Sequence, residues 1–172
     1  GDNSIYYTLP SMVDGLSVSA SLSTSSSQTG STGNNAIGYN AVYTGVEGLS
    51  IAYDIADIET GAAASDGDQT VMSASYAYGP VTVAYSNSDY DTGAANTEAL
   101  KQEVSSYAVS YTVSDSISLT YGSETVESGL AGSIDAEYEK LSASYTAGGM
   151  TVTVTSAEGD NISHTTAANE DV

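Results

Sequence analysis

The chain has 172 residues, of which 22 are acidic and only two are basic, so its formal net charge is −20. This charge excludes nucleic acid as a partner, because phosphate binding requires clustered Lys and Arg side chains. The absence of Cys excludes disulfide bonds and thiolate metal sites. The aromatic residues are 14 Tyr, with no Phe and no Trp, which indicates rings whose hydroxyl groups reach water or lipid headgroups.

Apolar and small polar residues alternate along most of the chain, with the period of two that is typical of β-strands. The clearest cases are residues 16–22, 49–55, 107–113 and 150–154. Most of the strands have roughly 8–12 residues, near the length that a tilted strand needs to cross a bilayer. The pattern predicts ten strands, at residues 4–11, 16–24, 35–45, 48–58, 69–78, 81–90, 104–113, 116–126, 135–146 and 150–158.

The links between the predicted strands are of two kinds. Short turns fall near residues 13, 46, 79, 114 and 148 and join the strands into five hairpins, whereas longer polar links are expected at residues 25–34, 60–68, 91–103 and 127–134. Short turns at one end and long loops at the other are typical of outer-membrane barrels. We therefore expect residues 1–172 to form one all-β segment of an antiparallel up-and-down transmembrane β-barrel.

A soluble antiparallel sandwich also alternates, and it is the alternative interpretation of these strands. The barrel is favoured because the polar face is mostly Ser, Thr, Ala and Gly, with few of the long charged side chains that a soluble sheet shows to water. If the apolar face meets lipid, the opposite face lines an aqueous passage. The predicted pore-lining residues are Ser50, Asp54, Ser73, Ser75, Thr82, Ser86, Ser110, Ser118, Thr120, Lys140, Thr151 and Thr153.

Four Tyr residues on the apolar face lie close to the predicted short turns, namely Tyr43, Tyr78, Tyr111 and Tyr145. A Tyr ring at a membrane boundary can direct its hydroxyl group toward the lipid headgroups. Cross-strand packing inside a core would explain the shared face of these rings but not their position near the turns. We therefore predict that these four residues are membrane-interface aromatics.

The acidic residues concentrate toward the predicted long loops, as the following residues illustrate: Asp66, Asp68, Asp89, Asp91, Glu98, Glu103, Glu124 and Glu127. This placement keeps charge out of the lipid band, where burial is costly. Paired acids of this kind could hold Ca²⁺ through carboxylate oxygens. Solvated loop charge is the simpler interpretation, since the sequence has no EF-hand loop, and we expect no cofactor and no metal site.

The repeated pattern of "GLSVSASLS", "GLSIAYDIADIE", "VSSYAVSYTVSDSISLTYGSETV" and "EYEKLSASYTAGGMTVTVTSAEGD" resembles Gram-negative general porins, especially those of alphaproteobacteria. The resemblance covers nearly the whole chain. It implies an outer-membrane barrel of about 16 strands, usually a homotrimer, that contacts lipid and passes small hydrophilic solutes. It also implies that the chain is a fragment, holding the sixth to the fifteenth strand, with residues 159–172 in the last long loop.

No catalytic site is predicted. The sole His, His164, lies in the terminal segment, and the sequence has no G-x-S-x-G elbow and no phosphate-binding glycine loop. The acidic loops indicate a passive channel with weak cation preference, because they make the entrance negative. One alternative is a secreted or cell-surface adhesin with Ca²⁺-binding acidic loops. The other is a barrel enzyme, which needs several catalytic side chains near the loops, and His164 alone does not supply them.

Overall fold

The structure, a computed structural model, describes residues 3–25, 34–59, 66–92, 101–166 and 169–171. A short 3₁₀ turn spans Ile162–His164. In the described ranges, no helix has the length and apolar character needed to cross a membrane. The strands are β1 Asn3–Thr8, β2 Leu16–Ser25, β3 Asn34–Tyr43, β4 Leu49–Glu59, β5 Gly67–Tyr78, β6 Val81–Thr92, β7 Gln102–Ser114, β8 Ile117–Ser128, β9 Ala136–Ala147, β10 Met150–Asp160 and β11 Glu170–Asp171.

All eleven strands form one antiparallel sheet in which each strand pairs with its neighbours along the chain, in the order β1 to β11. The predicted all-β, antiparallel up-and-down architecture is therefore confirmed. The ten predicted strands correspond to β1–β10, with ends that differ by a few residues. Parts of the predicted long loops, at residues 26–33, 60–65 and 93–100, lie outside the described residues.

The terminal segment differs from the prediction. Residues 159–172 were expected to be a loop, but Glu170 and Asp171 form an eleventh strand that pairs with Gly159 and Glu158 of β10. A two-residue strand of acidic side chains has no apolar alternation, so its pairing leaves no signal in the sequence.

Two of the short turns have the same construction and require glycine. Leu16 donates from its backbone N–H to the Val13 carbonyl at 3.1 Å, and Leu49 donates in the same way to Val46 at 3.0 Å. Between each pair stands a glycine in the left-handed region, with φ of 75° at Gly15 and 78° at Gly48. Non-glycine residues adopt this conformation only at a cost.

Gly48 also lies against the neighbouring hairpin. Its carbonyl accepts a hydrogen bond from the backbone N–H of Ala77 at 2.8 Å. A Cβ at position 48 would stand 2.2 Å from the Ala77 carbonyl oxygen, which no real contact permits. The glycine therefore serves both the turn itself and the close packing of adjacent turns.

The strand register places the apolar side chains on one face of the sheet. Val83, Val109, Tyr121 and Leu141 are directly opposite one another across β6, β7, β8 and β9. Their side chains are exposed or half-buried, and Leu141 is 55% exposed. In the described part of the chain, Ala136 is the one buried apolar residue. The described strands therefore form no closed hydrophobic core of the kind that a soluble sandwich requires.

The acidic residues are placed differently from the prediction. Asp68, Asp91, Glu103 and Glu127 were expected just outside the strands but belong to β5–β8, together with Asp89, at the ends away from the short turns. The register puts all five on the same face as the apolar residues. An acidic band therefore lies directly beyond the apolar band on the outward face. The reason is that these strands continue past the apolar stretch from which their ends were predicted.

Candidate solute pathway

The twelve predicted pore-lining residues all lie on the face opposite the apolar band. Direct cross-strand partners show this: Ser50 faces Ser75, Ser73 faces Ser86, and Thr82 faces Ser110. The register places the other six residues on the same surface: Asp54, Ser118, Thr120, Lys140, Thr151 and Thr153. That this surface lines a pore stays a prediction.

This polar face is concave. One hollow of about 540 Å³ is lined by residues of every strand from β4 to β10, from Ser50 at one side to Glu158 at the other. A flat sheet could not bring strands that are six positions apart to one hollow. The small Ser, Ala and Gly side chains on this face leave the interior open, which is what a wide passage requires. We call this hollow the inner groove.

A strip of hydroxyl groups covers the concave face toward the short turns. The hydroxyl oxygens of Ser110 and Thr120 are 3.1 Å apart, those of Ser144 and Thr153 are 2.9 Å apart, and those of Thr146 and Thr151 are 2.9 Å apart. Each pair bonds along the wall and not across the interior. The strip therefore consists of short, uncharged side chains that water can wet.

A second hollow of about 400 Å³ lies on the same face, lined by residues of β1 to β5. At its centre Asn40 donates from Nδ2 to Oδ1 of Asp54 at 2.6 Å. The ring of Tyr6 and the side chain of Gln69 also line it. Polar side chains thus continue the inner surface beyond the inner groove.

Two features of the concave face escaped the sequence interpretation. Glu124 was grouped with the loop acids, but it points inward in β8 and accepts a hydrogen bond from Ser106 Oγ at 2.9 Å. Its spacing from inward Thr120, four residues away, is the signal that could have found it. A row of inward aliphatic residues, Val71, Val104 and Val126, also crosses the loop-side part of this face. The inner surface is therefore not uniformly polar.

Lys140 is the basic side chain of the concave face. It lies in β9 opposite Gly122 of β8 and Ala157 of β10, and it lines the inner groove together with Glu124 and Tyr138. Within the described residues it forms no ion pair, whereas Lys101 contacts Asp91 with an Nζ–Oδ1 distance of 2.9 Å. By strand register, the concave face of β1–β10 thus carries one positive and two negative side chains, the latter being Asp54 and Glu124. Glu139 and Glu158 border the inner groove but belong to the outward face.

The four predicted interface tyrosines lie on the outward face near the short turns. Tyr78, Tyr111 and Tyr145 are exposed, and Tyr78 is 75% exposed. The ring of Tyr78 stacks on that of Tyr76, with 6.5 Å between centroids. Tyr43 is half-buried because its ring lies over Gly45, where a Cβ would be 2.7 Å from the ring. Their contact with the membrane boundary stays a prediction.

The acidic and histidine side chains in the described part of the chain do not meet the requirements of a metal site. Among those residues, no group of three or more His, Cys, Asp or Glu side chains is placed to hold a metal ion. His164 has Nδ1 2.9 Å from the Ile134 carbonyl oxygen, a contact that ties the 3₁₀ turn to the start of β9. This contact is structural in character.

Comparison with known proteins agrees with this architecture. No curated protein matches the chain. A solved structure described as porin refined at 1.8 Å resolution is similar, with a TM-score of 0.66 and 20% identity, over 90% of this chain and 55% of that one. The likeness shows the fold, and the chain spans about half the length of that porin. The profile described as Gram-negative porin matches residues 1–172. The chain therefore belongs to the Gram-negative porin family, whose members lie in the outer membrane.

Proposed function

We propose that the chain forms part of the wall of a passive diffusion channel for small hydrophilic solutes and ions. The observation that carries this proposal is the opposition of two faces in one sheet. The outward face exposes Leu, Val and Tyr side chains and the chain has no closed core among its described residues, while the concave face is rich in hydroxyl groups. Lipid on one side and water on the other satisfy both faces.

The mechanism needs no moving part and no cofactor. Ser and Thr hydroxyl groups replace part of the hydration of a passing solute, and their short side chains leave space for water. Strands β2–β9 each pair with a strand on both sides, so these strands can cross the apolar layer with their backbone N–H and C=O groups satisfied. Solutes then move down their own gradients.

Weak cation selectivity is part of the proposal. On the concave face of β1–β10, Asp54 and Glu124 against Lys140 leave one net negative charge, and further acids stand at the loop ends of the strands. A negative passage concentrates cations and repels anions. The preference is weak because most of the acidic side chains face outward and not into the concavity.

The test uses the native porin, purified in detergent and inserted into planar lipid bilayers. We expect stepwise conductance increases and, in a KCl gradient, a reversal potential that favours K⁺. Absence of conductance steps from folded protein contradicts the channel proposal. A reversal potential that favours Cl⁻ contradicts the selectivity alone.

Assembly and metal dependence complete the proposal. We expect a homotrimer that survives mild detergent and dissociates on heating, as cross-linking before and after heating can measure. Chelation with EDTA should leave conductance unchanged, because the channel needs no bound metal. An adhesin with Ca²⁺-bound loops predicts the reverse, together with solubility in the absence of detergent.

A further inference from the structure

The end of the inner groove formed by β8 and β9 carries an unsatisfied positive charge. Lys140 is exposed and has no ion pair or hydrogen bond within the described residues, although acidic side chains outnumber basic ones elevenfold in the chain. Within strands β1–β10, the acids other than Asp54 and Glu124 lie on the outward face. The ammonium group is therefore free to meet a solute in the concavity.

The residues directly beside Lys140 on the concave face have small side chains and leave the space around its side chain open. Its direct cross-strand partners on the concave face are Gly122 and Ala157. The cross-strand row continues through Ala108 and Ala84, so the floor of the groove in the row that contains the lysine has no bulky side chain, and the Tyr138 ring lines the groove one row further toward the loops. A solute can therefore lie on this floor within reach of the ammonium group.

A negative group stands one diagonal step away. Glu124 is directly opposite Tyr138 in β9, two residues from Lys140, and diagonal neighbours of this kind are about 7–8 Å apart. Glu124 accepts its hydrogen bond from Ser106 and not from Lys140. The groove thus presents a cation and an anion side by side that do not neutralise each other.

We propose that this end of the inner groove is a weak binding subsite for small zwitterionic solutes. The solute carboxylate lies at Lys140 Nζ and its ammonium group at Glu124, over the floor formed by Gly122. A simple anion is attracted by Lys140 but repelled by Glu124. A simple cation is attracted by Glu124 but repelled by Lys140. Weak, exposed charge contacts suit a channel, since a solute must enter and also leave.

This inference rests on the proposed channel function, and its test uses four solutes of similar size: β-alanine, propionate, propylammonium and glycerol. Each is added to single open channels of the native porin, and the excess current noise is measured. We expect β-alanine to produce noise at several-fold lower concentration than the other three. Lys140→Gln and Glu124→Gln should each raise the required β-alanine concentration several-fold.

Two matched variants control for loss of charge alone. Lys101→Gln removes the other lysine, and Glu103→Gln removes an outward carboxylate that accepts a hydrogen bond from Asn87 at 2.8 Å. Neither residue lines the inner groove. Both variants should keep the native response to β-alanine, and a loss equal to that of the groove variants overturns the subsite.

Other outcomes also decide the matter. Equal noise from propionate and β-alanine shows an anion site and overturns the zwitterion assignment, as does an unchanged response in Lys140→Gln. Saturation-transfer NMR of β-alanine on the detergent-solubilised porin tests binding without conductance. Binding that Lys140→Gln abolishes, in a protein that never conducts, overturns the channel proposal and retains the subsite.

Discussion

Asn40 and Asp54 are directly opposite each other across β3 and β4, and the Asn40 amide donates to the Asp54 carboxylate at 2.6 Å. The bond is formed on the concave face, where Asp54 is half-buried. A neutral amide satisfies the carboxylate without cancelling its charge. The pair therefore fixes a negative charge on the inner surface in one position.

The first prediction concerns this charge. Asp54→Asn should lower the cation-to-anion permeability ratio by about twofold, the scale of one exposed charge worth under about 1 kcal/mol. Asp57→Asn, in the same strand but on the outward face, removes the same charge and should leave the ratio unchanged. Reversal potentials in a KCl gradient measure both variants. Equal shifts in the two variants would show that total charge, and not the inner surface, sets selectivity.

The second prediction concerns the turn glycines. Gly48→Ala and Gly148→Ala both place a side chain at positive φ, 78° and 59°, which costs about 1–2 kcal/mol. The Gly48→Ala variant should lose more stability, because the added Cβ meets the Ala77 carbonyl oxygen, whereas a Cβ at position 148 meets open space. The free energy of unfolding in detergent, followed by circular dichroism in urea, measures the difference. Indistinguishable losses would count against the close packing of adjacent turns.

The third prediction separates the two faces of the sheet. Leu141→Arg puts a charge in the middle of the outward apolar band, opposite Tyr121, and should cost about 2–4 kcal/mol of folding free energy in lipid bilayers. Ser142→Arg places the same residue at the same depth on the concave face, where water can solvate it, and should cost far less. Folding titrations into lipid vesicles measure both. A larger cost for the Ser142 variant would reverse the assignment of the faces.

The fourth prediction concerns the depth of the outward tyrosines. The chain has no Trp, so the fluorescence that an introduced Trp adds, measured against the unsubstituted protein, reports on the surroundings of that position. Tyr78→Trp, beside a short turn, should be quenched most by lipids labelled near the headgroup, and Tyr53→Trp by lipids labelled deep in the acyl chain. Equal quenching profiles for the two positions would contradict the interfacial role of Tyr78.

Much of the fold was accessible from the sequence because its signals are local. A strand with one wet and one apolar face needs alternation along its own length, as β4 shows from Leu49 to Glu59. The same alternation assigned all twelve proposed pore-lining residues to one face, since parity within a strand is independent of its partners. Acids just beyond the predicted strand ends, such as Asp91, were taken for loop residues, because no apolar alternation marks the last residues of these strands.

By itself, the sequence determined that the chain forms antiparallel strands with one apolar and one hydroxyl-rich face, because side-chain direction in a strand follows from position alone. Only the tertiary structure decided which side chains meet across strands. The pairing of Glu124 with Tyr138, the glycine beside Lys140 and the added strand β11 depend on register and on sheet curvature. Both properties arise from hydrogen bonds between strands, so the alternation within one strand does not fix them.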